Sequence, residues 1–462
     1  MLTTISSLQN ALSTGETDAL SLTKQALSLA EDHEGQGRHV FTRIYHEKAL
    51  AAARASDILR KTGTLRSPLE GLPISIKDLF DVAGEPTLAG SIVLRDAPPA
   101  KVNAAVVEIL TNAGAIIIGK TNMVEFAFSG LGLNCHYGTP HSPWDRESKR
   151  IPGGSSSGAG VAVAEHMSVL SIGSDTGGSV RIPAAFCGLT GFKPTARRIS
   201  TRGALPLSTT LDSIGGIAAS VDCCAIADTI LSESFKRGSG ASVFPSNAFT
   251  NVSSVTHLRL VIPKNVVMDG SDDTVRSTFH SAIQQLMEAG ADVDTIDIPE
   301  FSLLSAINAK GGFTGAEAWS WHKDLLEKYE DKYDPRVASR IIRCQSMTAV
   351  DYIELIKARR NWIQAVNERT RGYDALLMPT VPIIAPRIED IENSDEVYFA
   401  TNRLVLRNPT LVNFWDGCAV SLPCHSLGAA PVGLMVAGQA LQDKHILGVA
   451  KAIESILQPS IN

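Results

Sequence analysis

Two segments in the middle of the chain combine serines with closely spaced glycines. The first, IPGGSSSGAG, covers residues 151–160, and the second, SIGSDTGGSVR, covers residues 171–181. Three interpretations fit such segments: tight turns whose serines cap a helix, a phosphate-binding loop, and a loop that carries a nucleophilic serine. Neither segment has the G-x-x-x-x-G-K-[ST] pattern, and no G-x-G-x-x-G follows a predicted strand here. The sequence therefore argues against nucleotide binding.

A nucleophilic serine needs a neighbouring group that takes its proton. Histidine is the usual base, but the histidines nearest to these segments follow no spacing that supports a Ser-His-Asp triad, and Ser179 is not in a G-x-S-x-G pattern. Lysine can replace histidine when burial lowers its pKa towards neutrality. Lys77 ends the apolar run GLPISIK, which predicts a position at the inner end of a buried strand. The alternative is a surface lysine paired with the adjacent Asp78.

The elements that must position these residues alternate between helices and short apolar strands. Helices are predicted as two short segments in 3–31, at 45–61, 104–113, from 161, at 272–288, within 315–370, and at 443–457. Strands are predicted at 72–76, 115–119, 168–172, 258–262, 292–298, 373–382 and near 433–437. Residues 235–256, rich in Gly, Ser and Asn, are predicted to be a loop between two lobes. Such alternation is typical of an α/β fold with a largely buried sheet.

Composition and charge exclude several classes of protein. The 462 residues are 44% hydrophobic and carry a formal net charge of −6, which argues against a sequence-independent nucleic-acid binder. The seven cysteines form no C-x-x-C pair, so we expect neither a disulfide framework nor a zinc site, and reduced thiols fit a cytoplasmic protein. The first residues lack a signal-peptide pattern, and no apolar stretch reaches the roughly 18 residues of a membrane span. We therefore expect neither secretion nor membrane insertion.

The combination of these motifs resembles the amidase signature family of serine hydrolases. The resemblance covers nearly the whole chain and is strongest from Gly71 to Asp212, where Lys77 is followed by GKTNMVEFAFSG (119–130), GGSSSG and SDTGGSVRIPAAFCGLTGFKPT. It continues weakly in residues 373–386 and 418–438. The separation of 24 positions between Ser155 and Ser179 agrees with the family pattern. The resemblance implies the amidase signature fold: a central mixed, largely parallel sheet covered by helices on both faces.

The resemblance also implies a Ser–cis-Ser–Lys triad. Ser179 matches the nucleophile, Ser155 the bridging serine after a non-proline cis peptide, and Lys77 the general base. In this scheme neutral Lys77 takes a proton from Ser155, which takes one from Ser179 as it attacks an amide carbonyl. The expected products are a carboxylate and ammonia or an amine, formed through an acyl-enzyme.

Further positions follow from the same resemblance. The oxyanion hole is expected from the backbone N–H groups of Thr176, Gly177, Gly178 and Ser179. Ser174 is expected to donate to the bridging serine, and Asp175 to pair with Arg181 and brace the loop. Substrate-binding positions are expected at Gly130, Leu131, Gly153 and Gly154.

The substrate pocket is expected to take its walls from three parts of the chain: Phe126–Asn134, residues 310–350 and residues 402–418. Its apolar candidates are Phe126, Phe128, Leu131, Phe313, Trp319, Trp321 and Phe414. This composition favours an aryl or aliphatic amide over a charged one.

Two activities remain open within the family. The glutaminase subunit of tRNA-dependent amidotransferases typically has Gln after the arginine that follows the nucleophile, whereas Ile182 stands here. A free-standing amidase is therefore favoured, with the glutaminase as the alternative.

We expect one amidase domain over 1–462, with N-terminal helices (1–65), a catalytic core (66–230), and a second lobe with the closing helix (231–462). We expect a small-molecule amide substrate, no cofactor or metal, and no nucleic-acid or membrane partner, and leave homodimer formation open.

Overall fold

A central β-sheet runs through the protein in the computed structural model, which describes residues 3–232, 250 and 252–457. Its strands within these residues are β1 (Phe41–Ile44), β2 (Pro73–Lys77), β3 (Ile116–Thr121), β4 (Leu170–Asp175), β5 (Thr190–Lys193), β6 (Ser213–Ala218), β7 (Arg259–Pro263), β8 (Asp292–Ile296), β9 (Ala375–Pro379), β10 (Cys418–Pro423) and β11 (Gly433–Gly438). Their order across the sheet is β1-β3-β2-β4-β6-β5-β10-β11-β9-β7-β8.

Helices pack around this sheet. The α-helices of the first half are α1 (Ile5–Thr14), α2 (Ala19–Ala30), α3 (Gly37–Val40), α4 (His46–Lys61), α5 (Ala105–Asn112), α6 (Ser157–Ala164), α7 (Arg181–Phe186) and α8 (Val221–Leu231). Those of the second half are α9 (Asp273–Glu288), α10 (Pro299–Ile307), α11 (Gly312–Tyr329), α12 (Pro335–Ile342), α13 (Ala349–Arg369), α14 (Glu389–Glu392), α15 (Asp395–Phe414) and α16 (Asp443–Leu457). Short 3-10 turns lie at Glu125–Ala127, Arg146–Ser148 and Glu330–Lys332.

Both faces of the sheet are buried. Along β11, Leu434 and Val436 belong to one hydrophobic cluster, whereas Met435 and Ala437 belong to another. Successive side chains of a strand point to opposite faces, so apolar layers cover the sheet on its two sides. The α/β class and the mixed sheet expected from the sequence are confirmed.

The expectation of a largely parallel sheet needs correction. Among the described strands, six of the ten neighbouring pairs are antiparallel: β1–β3, β4–β6, β6–β5, β5–β10, β10–β11 and β11–β9. The parallel pairs are β3–β2, β2–β4, β9–β7 and β7–β8. The periodicity did not reveal β5, β6 or β10, and no crossover helix joins β5 to β6 or β10 to β11, which permits antiparallel pairing.

Most predicted elements agree with the structure to within a few residues, including the two N-terminal helices, the strand that ends at Lys77 and the closing helix. The predicted helical region 315–370 is instead three α-helices, α11 to α13. Most of the predicted loop at 235–256 lies outside the described residues.

The loop that carries Ser155 depends on a close approach of α6 to its neighbours. At Gly158 an added Cβ would lie 2.3 Å from the carbonyl oxygen of Val40, so only glycine fits there. Pairing of β2 with β4 is parallel, which brings their carboxyl ends, at Lys77 and Asp175, to the same edge of the sheet. The candidate catalytic residues lie at this edge.

No helix among the described residues has the length and apolar character needed to cross a bilayer. All seven cysteines lie within the described residues, and each is a free thiol.

Candidate active site

The side chain of Lys77 lies at the end of β2 and is fully buried. Its Nζ is 2.7 Å from Ser155 Oγ and 2.9 Å from Ser174 Oγ. An amine buried between two hydroxyls can accept a proton from one of them when it is neutral.

Burial lowers the pKa of Lys77 from 10.5 to about 7, although the carboxylates of Asp212 and Asp175 oppose this by favouring the ammonium form. The adjacent Asp78 faces away, since its carboxylate lies 3.2 Å from Lys120 Nζ. This agrees with the alternation of side chains along a strand. Lys77 is therefore not the surface lysine paired with Asp78 that the sequence left open.

Ser155 follows a cis peptide bond after Gly154, as the resemblance implied. Two backbone hydrogen bonds hold this segment in place: Val124 N–H donates to Ser155 O at 3.0 Å, and Gly154 N–H donates to Gly130 O at 2.8 Å. The Ser155 hydroxyl thereby stays against Lys77, in a position where it is 0% exposed.

Ser179 lies on the wall of a cavity, beside Thr176 and Gly177. Its carbonyl oxygen accepts from Ser156 N–H at 3.3 Å, which ties the two serine-rich segments together. In the described part of the chain no hydrogen bond joins Ser155 Oγ to Ser179 Oγ. The structure thus brings Lys77 and Ser155 into contact, while the hydroxyl of Ser179, at the cavity wall, forms no hydrogen bond with the described residues.

The glycine loop before Ser179 is organised by the carboxylate of Asp175. Gly178 N–H donates to Asp175 Oδ1 at 2.9 Å, and Val180 N–H donates to Oδ2 at 3.2 Å. Gly178 adopts a φ of +124°, which favours glycine. The N–H of Gly178, which was expected at the oxyanion hole, is therefore already bonded in this geometry. Thr176, Gly177 and Ser179 keep their N–H groups unbonded within the described residues.

Asp175 is in turn held by Arg181, as the sequence predicted. The guanidinium donates to the carboxylate through Nε at 3.0 Å and through Nη2 at 2.8 Å, and also to Asn413 Oδ1 at 2.6 Å. Burial alone would raise the pKa of Asp175, but the Arg181 charge holds that pKa well below its usual range. Ser174 differs from expectation: its Oγ bonds to Lys77 rather than to Ser155.

The cavity at Ser179 has a volume of about 280 Å³. Of the predicted apolar residues, Phe128, Phe313 and Phe414 line it. All three predicted wall segments contribute to it: further lining residues within 310–350 and 402–418 are Arg340, Arg343, Cys344, Leu406 and Thr410. Leu207, Leu211 and Asn308 line it from outside the predicted segments.

Several other predicted residues do not line this cavity. Phe126 is buried and packs its ring 4.4 Å from that of His322, while Trp321 is 37% exposed and Trp319 packs against the core. Leu131 is fully buried in a hydrophobic cluster with Ile151.

The predicted substrate-binding glycines support the site from behind. Gly130 N–H donates to Asn402 Oδ1 at 2.9 Å, and its carbonyl accepts from Gly154. A Cβ on Gly153 would lie 2.9 Å from Phe186, so that glycine packs against the core. None of the four expected substrate-binding positions, Gly130, Leu131, Gly153 and Gly154, is among the described residues of the cavity wall.

Sequence reasoning missed Asp212 as a member of the site. Its carboxylate accepts from Thr176 Oγ1 at 2.5 Å, and burial raises its pKa to about 6 although the nearby charge of Lys77 opposes that shift. The antiparallel register of β4 and β6 pairs Asp175 with Ser213, which places Asp212 next to the active loop. Recognising that register in the sequence would have found it.

Arg340, on α12, lies in the predicted wall segment 310–350, but the sequence did not single it out. Its Nη1 donates to the carbonyl oxygen of Phe128, and its guanidinium carbon lies 4.4 Å from the centroid of the Phe128 ring. This contact joins two segments that are more than 200 residues apart in the sequence, and no local pattern predicts it. Among the described residues, no group of three or more His, Cys, Asp or Glu side chains is arranged to hold a metal ion.

Comparison with known proteins agrees with this arrangement. The family model described as Amidase matches residues 28–447. The chain belongs to the amidase family. Like other members of the amidase family it is a hydrolase that acts on carbon–nitrogen bonds of small amides.

Individual relatives fall into more than one activity. Over 413 residues the chain is 34% identical to 2-amino-5-chloromuconic acid deaminase of Comamonas testosteroni, covering 89% of this chain and 87% of the relative. It is 31% identical over 476 residues to a glutamyl-tRNA(Gln) amidotransferase subunit of Chloroflexus aggregans, covering 98% and 96%. A solved structure of an amidase superposes with a TM-score of 0.86 at 29% identity, covering 98% of this chain and 100% of that one. The amidase signature fold is thereby confirmed.

Proposed function

We propose that this amidase-family protein hydrolyses a small amide through an acyl-enzyme on Ser179, with Lys77 and Ser155 moving the proton. The observation that carries the proposal is the buried Lys77 Nζ, 2.7 Å from Ser155 Oγ, whose pKa is lowered to about 7. Half of such lysines are neutral at pH 7, so the amine can act as a base at ordinary pH.

The chemistry follows from this geometry. A side-chain rotation brings Ser179 Oγ to Ser155, and the proton of Ser179 passes to Ser155 as the proton of Ser155 passes to Lys77. Ser179 Oγ then forms a bond to the amide carbon. The tetrahedral intermediate collapses when the carbon–nitrogen bond breaks and the leaving nitrogen takes the proton held at Lys77. Water attacks the resulting ester by the same route in reverse and releases the carboxylate.

Negative charge that develops on the carbonyl oxygen needs donors that are already in place. Thr176, Gly177 and Ser179 have such backbone N–H groups at the cavity, and the Asp175–Arg181 pair keeps their loop rigid. We propose that these three residues, without Gly178, form the oxyanion hole.

For the substrate we propose an amide that also carries a carboxylate, in place of the aryl or aliphatic amide favoured by the sequence. Arg340 lines the cavity and forms no ion pair within the described residues, and no Asp or Glu is among the described residues of the cavity wall. Burial lowers the pKa of Arg340. Arg343 adds a second guanidinium at the wall. The muconic acid deaminase relative is named for a substrate that is itself an acid.

A matched pair of substrates tests this proposal. Succinamate and butyramide have similar size and differ by a carboxylate in place of a methyl group. The parent should prefer succinamate, and Arg340→Met should lower kcat/KM for succinamate by roughly 10- to 100-fold while changing butyramide turnover little, because a hydrogen bond to a charged group is lost.

Arg336→Met is the control for this experiment. Arg336 lies on the same helix, but its guanidinium is bonded to Asp395 at 2.8 Å. Arg336→Met should leave kcat/KM for both substrates unchanged. Preference of the parent for butyramide, or an equal loss of both activities in Arg340→Met, contradicts a carboxylate-bearing substrate.

The glutaminase of a tRNA-dependent amidotransferase is the second candidate. The amidotransferase relative covers 98% of this chain, which favours it, but Ile182 is fully buried beneath the glycine loop, where that group typically has Gln. Glutamine is also a carboxylate-bearing amide. Hydrolysis of glutamine together with a copurifying partner protein would select this candidate, whereas a chain that is fully active alone would exclude it.

For the cellular setting, we propose one amidase domain over 1–462 that works in the cytoplasm on a small-molecule amide. Free thiols at all seven cysteines support a reducing compartment. Homodimer formation stays open and is settled by light scattering.

A further inference from the structure

One wall of the cavity is a loop rather than a helix or strand. Residues 207–212 supply Leu207 and Leu211 to the wall, and the loop ends in Asp212, whose carboxylate bonds to Thr176. The position of this loop therefore affects both the width of the cavity and the position of Thr176 in the proposed oxyanion hole.

Two carboxylates bond to the loop. Asp212 accepts from the N–H groups of Leu207 and Ser208 within the loop, whereas Glu317 binds it from α11. Glu317 Oε2 accepts from Ser208 Oγ at 2.7 Å, from Thr210 N–H at 3.0 Å and from Thr209 Oγ1 at 3.2 Å. Its Oε1 accepts from the hydroxyls of Thr210 and of Tyr352, the latter at 2.6 Å. The Thr210 N–H can only donate, and the four hydroxyls can each donate to the carboxylate, so an anionic group with two acceptor oxygens receives the whole set as charge-assisted hydrogen bonds.

The helix of Glu317 also forms the facing part of the cavity. Its first turn places Phe313, Thr314 and Gly315 on the wall. Tyr352 belongs to α13, so Glu317 joins the loop to two helices of the second lobe. Burial alone would raise the pKa of Glu317, but the hydroxyls of Thr210, Tyr352 and Ser208 lower it, which keeps the group an anionic acceptor.

We propose that Glu317 is a positioning residue that fixes loop 207–212 against α11 and thereby sets the affinity of the cavity for its substrate. This inference rests on the proposed function, because the cavity is the one that holds the amide. Glu317 does not line the cavity, and it acts through Leu207, Leu211 and Asp212.

Glu317→Gln is the informative change. It keeps the size of the side chain but removes its charge and one acceptor oxygen, so the charge-assisted bonds to the loop become weaker neutral ones without a cavity being made. Glu300→Gln is the matched control: Glu300 lies in the same lobe and bonds to Arg369 Nε at 2.6 Å, away from the cavity.

Two measurements decide the proposal. Hydrogen–deuterium exchange of peptides that span 207–212 should become faster in Glu317→Gln, and KM for the best amide substrate should rise by roughly 10-fold with a smaller change in kcat. Glu300→Gln should change neither. Unchanged exchange in Glu317→Gln overturns the positioning role. Faster exchange with an unchanged KM also overturns it, as does an equal fall of kcat for all substrates at constant KM. If the parent hydrolyses no amide, the proposed function fails, while the exchange experiment still decides whether Glu317 holds the loop.

Discussion

Titration of Lys77 should control how the rate of acylation depends on pH. A lysine with its ordinary pKa of 10.5 would be neutral in roughly one molecule in 3,000 at pH 7, whereas a pKa of about 7 makes one molecule in two neutral. Burial therefore increases the population of the base on the order of a thousandfold. Because the neutral fraction falls from about 0.9 at pH 8 to about 0.01 at pH 5, kcat/KM should drop by nearly 100-fold over that range and level off on the alkaline side.

Two variants separate a base from a merely charged group at this position. Lys77→Arg should abolish turnover at every pH from 5 to 9, since a guanidinium keeps its proton throughout. Asp212→Asn removes the carboxylate that favours the ammonium form of Lys77, so the rising limb of the profile should move to lower pH.

The assay is kcat/KM for an amide with a chromogenic leaving group, measured from pH 5 to 9 at constant ionic strength. Circular dichroism at each pH confirms that the protein stays folded. A profile that is flat over this range, or activity near that of the parent in Lys77→Arg, would refute the role of Lys77 as the base.

Three further outcomes are expected. Lys77→Met should increase the free energy of unfolding, because the folded protein then no longer buries an ammonium group. The increase should be largest below pH 7, at most about 5 kcal/mol, and should shrink as the pH rises to 10.5; thermal melts at pH 6 and 9.5 check the sign. Asp175→Asn should destabilise the fold by about 3–5 kcal/mol in denaturant titrations, since Arg181 would stay buried without its partner. Activity should survive exhaustive EDTA treatment, because serine and lysine side chains carry the proposed reaction, and a loss that zinc or manganese restores would contradict it.

The resemblance to the amidase signature family indicated the first members of the site, because each of them belongs to a local motif. Lys77 ends an apolar run, and an apolar run that ends in lysine can be recognised without any tertiary contact. Ser155 and Ser179 lie in the two glycine-rich segments. Their catalytic roles stay predictions, although the contact of Lys77 with Ser155 supports them.

The residues that were missed depend on contacts between distant parts of the chain. Arg340 reaches the cavity from α12, and Glu317 reaches the loop at 207–212 from α11, although more than 100 residues separate the partners. Gly178 shows a different limit: its glycine pattern suggests an available N–H, but the side chain of Asp175 folds back and takes that bond. A side-chain rotamer of this kind leaves no trace in residue spacing.

The strands of the sheet likewise differ in how well the sequence predicted them. Strands flanked by clear helices, such as β2 and β3, were located to within two residues. Strands β5 and β6 have few large apolar residues, since TGFK and SIGGIA contain three glycines between them, and their antiparallel pairing was missed with them. The expectation of a largely parallel sheet rested only on the strands that the sequence predicted, which did not include β5, β6 or β10.

Identifying the residue that becomes acylated tests the proposed mechanism most directly. The protein is treated with a fluorophosphonate, or mixed with substrate and quenched in acid during turnover, and the modified peptide is sequenced by mass spectrometry. We predict a single adduct on Ser179 that is absent from Ser179→Ala, a variant that should otherwise fold and melt like the parent. An adduct on another serine, or turnover retained in Ser179→Ala, would contradict it.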